Sequence, residues 1–152
     1  MSSIYFVMPA YNEAENIERT IKEWYPIVEK CSNEGNDARL VIANDGSKDN
    51  TFAIMQNLKG KYPLLDPLDK QNSGHGATVL FLYRYALDNH ADFIFQTDSD
   101  GQTKPEEFWK MWNNRDKYDF QIGNRRGRED GFRRVFVTKV LLLRHPGQQG
   151  YC

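Results

Sequence analysis

The sequence predicts an α/β domain with a mainly parallel central sheet. Three observations carry that expectation. Short apolar runs of strand length alternate with segments of helical periodicity. The runs break on Pro, Asn, Asp or Gly. Three of them lead into compact polar clusters: "PAYNE" (9–13), "ANDGS" (43–47) and "TDSDG" (97–101). Parallel strands would gather these clusters at one sheet edge, where open α/β sheets bind their ligands.

The elements follow in order. "IYFVM" (4–8), closed by Pro9, reads as a buried strand. Asn12 with Glu15 three residues on fits a capping box, so a helix is expected from there, with Ile17, Ile21, Trp24 and Val28 on one face. "RLVIAND" (39–45) is a second strand, and "SKDNTFAIMQNL" a helix with Phe52 and Met55 inward. "GHGATVLFLYRYALDN" (74–89) is a longer, largely apolar helix, followed by the strand "DFIFQT". Pro105 suits a first helical turn, after which Phe108, Met111 and Trp112 repeat helically. "DFQIGNR" (119–125) reads as a short strand and "DGFRRVFVTKVLLLR" (130–144) as an amphipathic helix. The 152 residues fit one domain over 1–144, with "HPGQQGYC" (145–152) as an unpatterned tail. Trp24, Trp109 and Trp112 are expected in the core rather than at a binding surface.

Net charge is −1, which gives no reason to expect a nucleic-acid partner. The distribution is uneven: residues 115–144 hold 9 basic and 4 acidic groups, net +5, leaving 11 basic and 17 acidic elsewhere, net −6. Cys31 and Cys152 lack metal or redox spacing, and His90 and His145 have no metal-site spacing. Acidic residues within the first twenty argue against a secretory signal, and no apolar run reaches the roughly 20 residues of a membrane span. The expected location is cytoplasmic, either free or peripheral on the inner face of a membrane.

Asp98 and Asp100 close a strand with Ser99 between them. Two carboxylates so close repel, so the pair expects a cation or faces water. Neither a Walker-type loop nor a Gly-x-Gly-x-x-Gly turn after a strand is present; "NSGHGA" (72–77) is the nearest. A phosphorylated ligand would therefore need its charge met otherwise. A divalent cation, Mg²⁺ or Mn²⁺, on Asp98 and Asp100 would do so.

"VMPAYNEAENI", "VIANDGSKDNT", "NSGHGAT" and "FQTDSDGQ", in this order and spacing, resemble the nucleotide-binding half of the inverting family 2 glycosyltransferases, and within them the dolichyl- and polyprenyl-phosphate sugar transferases. The resemblance runs over roughly residues 4–140 and implies a GT-A-type, Rossmann-like sandwich. It implies that Pro9, Tyr11 and Glu13 lie against the base and ribose of a nucleotide-sugar donor. Asp45 would hydrogen-bond the base, Asp98 and Asp100 would hold the metal at the diphosphate, and Gln102 would take the next contact position. His75, between Gly74 and Gly76, would line the donor site or cap a helix.

A phosphate-monoester acceptor is already anionic and needs cations more than a base. "GNRRGREDGFRR" supplies Arg125, Arg126, Arg128, Arg133 and Arg134, and arginine's fork suits phosphate. The resemblance puts Arg125 and Arg133 or Arg134 near a lipid-phosphate acceptor, so Asp100, Arg125 and Arg133 are expected to carry catalysis. On the 130–144 helix, Phe132, Val135, Phe136, Val140 and Leu143 form a stripe suited either to a membrane interface or to a core. Transfer to a sugar hydroxyl is a competing reading, but it wants a downstream carboxylate base that the chain does not offer. A nucleotide-binding fragment without turnover is another, because members of this family usually extend further and this chain is expected to be C-terminally truncated.

Overall fold

The computed structural model describes residues 1–123 and 140–144. Its centre is β1 (Ser3–Ala10), whose side chains alternate between two cores. Ile4, Phe6 and Met8 enter one, and Tyr5 and Val7 the other. After β1 come α1 (Ile17–Asn33), β2 (Asp37–Asp45), α2 (Thr51–Lys59), β3 (Leu65–Lys70), α3 (His75–Asp88) and β4 (Phe93–Gln96). A 3₁₀ turn, Pro105–Glu107, leads into α4 (Phe108–Trp112), and β5 (Phe120–Gly123) and β6 (Val140–Arg144) complete the sheet.

The sheet order is β3-β2-β1-β4-β6-β5. β1 is parallel to β2 and β4, and β2 to β3; β6 runs antiparallel to both β4 and β5. The larger core holds α1, α2 and α4 against one face, around the aromatic group Phe6, Trp24, Phe95 and Phe108. The Phe6 and Phe108 rings lie 4.8 Å apart and Phe95 meets Phe108 edge-on at 5.0 Å, geometries worth about 0.5–1.5 kcal/mol each beyond burial. Trp24 and Trp112 are buried there and Trp109 packs at the margin, as expected of core residues. On the other face α3 packs Leu82 and Ala86 onto Val7, Val41 and Ile94. Strand order runs outward from β1 through β2 to β3, then returns by α3 to β4 on β1's other side. At such a reversal, open α/β sheets have a crevice beyond the carboxyl ends of the strands, here those of β1 and β4.

Three expectations are corrected, and one strand stands where none was expected. The first strand continues through Pro9 to Ala10. Pairing with β4 stops at Val7, so on that side the missing N–H of Pro9 breaks no ladder bond. The capping box does not form: α1 begins at Ile17, and Asn12 instead takes a left-handed φ of 54° with its Oδ1 accepting from the Lys48 N–H. β3 went unforeseen; it is an edge strand, where Pro67 is tolerated. The expected helix over 130–144 is contradicted at its end, where Val140–Arg144 is a strand with Leu142 opposite Phe95. Residues 130–139 and the 145–152 tail lie outside the described residues. Among the described residues no helix is long and apolar enough to cross a membrane.

Candidate functional site

Parallel register brings the predicted clusters together. β1 and β2 end side by side at Ala10 and Asn44, and β2 and β3 at Asp45 and Lys70. The loops beyond them are bolted to one another. The Asn12 N–H donates to Ser47 Oγ at 2.9 Å, the Glu13 N–H to Thr51 Oγ1 at 2.9 Å, and the Ala14 N–H to Asp49 Oδ2 at 3.1 Å. Tyr11 leaves this platform 43% exposed. The Glu13 carboxylate is half-buried and accepts from Asn16 Nδ2 at 3.1 Å.

Asp45 is 4% exposed, and the protein itself engages its carboxylate. Oδ1 accepts from Lys70 Nζ at 2.6 Å and the Ser73 N–H at 2.8 Å, and Oδ2 from the Gly74 N–H at 2.9 Å. Burial alone would raise its pKa, but the bonds from Lys70 and the Ser73 amide hold it below the usual value. Gly46 lets the 71–74 loop close down: its φ is +64°, and a Cβ there would lie 2.7 Å from the Asn72 nitrogen. The residue the sequence reading missed is Lys70, whose Nζ also donates to the Gln71 carbonyl at 2.7 Å and to Ser73 Oγ at 2.5 Å. The signal lay in β3: Lys70 sits directly across from Asp45 in register.

Beyond β4 the chain turns so that Ser99 is buried, 3% exposed, while Asp98 and Asp100 on either side of it stay partly exposed. Asp100 Oδ1 accepts from the Gln102 N–H at 3.0 Å. Among the described residues, Asp98 Oδ1 is fully buried without a hydrogen-bond partner, and neighbouring Thr97 Oγ1 is in the same condition. His75 Nε2 stands 3.7 Å away on an exposed ring at the start of α3, an ion pair only when protonated. Burial pushes the Asp98 pKa up; His75 works against the shift and Asp100 adds to it. A buried carboxylate oxygen without a donor is costly unless something positive comes to it. Among the described residues no three His, Cys, Asp or Glu side chains form a ready-made metal cage. Two adjacent carboxylates, one with an orphaned oxygen, nonetheless fit Mg²⁺ or Mn²⁺, which ordinarily take one or two carboxylates and complete their shell with water and substrate phosphate.

The structure thus brings Pro9, Tyr11, Glu13, Asp45, His75, Asp98, Asp100 and Gln102 to one sheet edge. Arg125 and Arg133 lie outside the described residues.

A family model described as "Glycosyl transferase family 2" matches residues 5–149. A dolichyl-phosphate beta-glucosyltransferase of Trichomonas vaginalis is 36% identical over 109 residues, which cover 70% of this chain and 32% of that protein. The UDP-N-acetylglucosamine–dolichyl-phosphate N-acetylglucosaminyltransferase of Methanococcus voltae is 28% identical over 153 residues, 91% of this chain and 58% of that one. The chain therefore spans between a third and three fifths of the length of these relatives. Among solved structures, S. aureus TarS 1–349 in complex with UDP-GlcNAc superposes with a TM-score of 0.64 at 18% identity, over 95% of this chain and 45% of that chain. The mannosyltransferase PcManGT of Pyrobaculum calidifontis, in complex with GDP-Man and Mn²⁺, gives 0.53 at 20% identity, over 64% of this chain and 27% of that chain. These two likenesses show a shared fold.

Proposed function

Since the chain belongs to glycosyl transferase family 2 and has the GT-A fold, we propose that it is the donor-binding part of a transferase that moves a sugar, with inversion, from a nucleoside-diphosphate sugar to a polyprenyl or dolichyl phosphate. The observation that carries the reading is the orphaned, buried Asp98 oxygen beside Asp100, at the point where strand order reverses. That the two relatives are dolichyl-phosphate sugar transferases supports the acceptor class.

On this reading the 9–13 platform receives base and ribose, with Tyr11 exposed for stacking and Glu13 held by Asn16 for a ribose hydroxyl. Asp45 offers the base its remaining acceptor capacity while its bound lysine and amides keep it ionised. Asp98 and Asp100 hold the divalent cation; when bound, it supplies Lewis-acid neutralisation of the departing diphosphate. Gln102 extends the turn toward the same group. Arg125 and Arg133 hold the acceptor phosphate, whose own negative charge makes it the nucleophile, so that no strong general base is needed.

The test is transfer of labelled sugar from UDP- and GDP-sugars to a short-chain polyprenyl phosphate, with saccharide hydroxyl acceptors in parallel. Product on the lipid phosphate supports the reading; product on the saccharides alone overturns it. Arg125→Ala is expected to lower acceptor use by roughly 10- to 150-fold, the equivalent of one charge-assisted contact of about 1.5–3 kcal/mol, and to leave donor affinity unchanged. A collapse of donor affinity instead would move Arg125 to the donor site.

A further inference from the structure

Asp98 and Asp100 sit on a four-residue turn, and the residue between them is the most firmly held. Ser99 Oγ donates to the Pro9 carbonyl at 2.9 Å, and the Ser99 carbonyl accepts from Thr20 Oγ1 at 2.9 Å. Both bonds are buried, with Thr20 at 0% and Ser99 at 3% exposure. The first replaces the ladder that ended at Val7 and Gln96, so the turn stays laced to β1 where regular pairing has stopped. The second ties it to the first turn of α1. One residue before Thr20, the Arg19 guanidinium lies against Gly101: φ there is +72°, and a Cβ would stand 3.2 Å from Arg19 Nη2. The same Nη2 donates to Asn16 Oδ1 at 3.0 Å, and Asn16 in turn holds Glu13.

We infer that Ser99 and Thr20 are positioning residues for the cation: together they lock the Asp98–Gly101 turn to β1 and α1, and so set the separation and aim of the two carboxylates. The inference rests on the reading of Asp98 and Asp100 as metal-holding residues. Its physical basis is that metal ligands depend on what holds them. Groups that hydrogen-bond the ligands themselves typically contribute 10- to 100-fold to metal affinity, and Ser99 and Thr20, which hold the backbone that carries the ligands, are expected near the lower end. Neither hydroxyl is placed to touch donor or metal, because both are spent inward on backbone carbonyls.

The experiment titrates Mn²⁺ into the whole chain in the presence of UDP or GDP, reading free Mn²⁺ by its spin-resonance signal, with melting temperature measured alongside. Ser99→Ala and Thr20→Val are each expected to weaken Mn²⁺ binding about tenfold or more. Thr20→Ser, which keeps the hydroxyl, should stay within about twofold of the unmodified chain. The double variant should lose less than the product of the two single effects, since both bonds hold one turn. If Thr20→Val does not fold, Ser99→Ala paired with Thr20→Ser carries the comparison. Variants that melt lower yet bind Mn²⁺ as the unmodified chain does would make the two bonds merely structural and overturn the inference. An unmodified chain that binds no Mn²⁺ with either nucleotide would instead overturn the metal reading, and this inference with it.

Discussion

Replacing Asp45 by Asn probes the buried junction between β2, β3 and the 71–74 loop. Asn has the same shape, but it is neutral and turns one oxygen acceptor into a donor. The Asp45 carboxylate receives hydrogen bonds from Lys70 Nζ and from the Ser73 and Gly74 amides. In either orientation, the amide NH₂ of Asn must face at least one of these donors. Lys70, whose side chain is 15% exposed, loses its counter-ion but keeps the Gln71 carbonyl and the Ser73 hydroxyl. Breaking a buried pair from one side typically costs 3–5 kcal/mol, and the remaining acceptors of Lys70 put this case near the lower end, about 3 kcal/mol. For a chain of this length that is a fall in Tm of about 6–12 °C. The pH dependence has a definite sign. The Asp45 pKa is lowered from 3.8 in the folded protein, so its contribution is fully present above that value and is lost as pH falls through the folded pKa. The gap between the unmodified chain and Asp45→Asn should be full at neutral pH and narrow as the pH falls below 3.8. Adding Lys70→Met should restore part of the loss, because no unpaired charge then remains. Thermal melts from pH 3 to 7 measure all three. A fall below about 2 °C at neutral pH, or strict additivity in the double variant, would refute the reasoning.

Gly46→Ala should destabilise by about 1–3 kcal/mol in urea titration, because a left-handed backbone there adds to a clash with the Asn72 nitrogen. Gly35→Ala, equally left-handed at φ +87° but with none of the described residues within 4 Å of the added carbon, should cost less, and the difference measures the clash. Cys31 is fully buried, and burial pushes its thiol up to about 12. Peptide mapping after iodoacetamide at pH 8 should therefore find it unmodified in the folded chain and modified in denaturant.

How legible the fold was depended on burial pattern. β1, β2 and β4 announced themselves because strands covered on both faces read as unbroken apolar runs. α3 did so by its length. β3 did not: in "LDPLDK" only Leu65 and Leu68 are apolar, and Pro67 argued against a strand, since an edge position cannot be read from local sequence. Missing β3 also meant missing Lys70, which matters only once it stands opposite Asp45. "VLLLR" (140–144) carries no periodicity that separates helix from strand, and its pairing with β4 is a long-range choice. The crevice residues were legible because their clusters sit at strand ends, and chain topology brings such ends together. What stayed hidden was the internal use of Asp45's acceptors and the inward role of Ser99, both set by partners 25 or more positions away.

The central claim is that the crevice beyond β1 and β4 binds a nucleoside-diphosphate sugar through a cation on Asp98 and Asp100. Calorimetric titration of UDP- and GDP-sugars, with Mn²⁺ and with chelator, tests it most directly on the unmodified chain and on Asp100→Ala. The account predicts that one nucleotide binds the unmodified chain at least tenfold tighter with Mn²⁺, and that Asp100→Ala, folded with an unchanged melting temperature, loses this metal dependence. Equal affinity with and without the metal, or a metal dependence that survives Asp100→Ala intact, would contradict it.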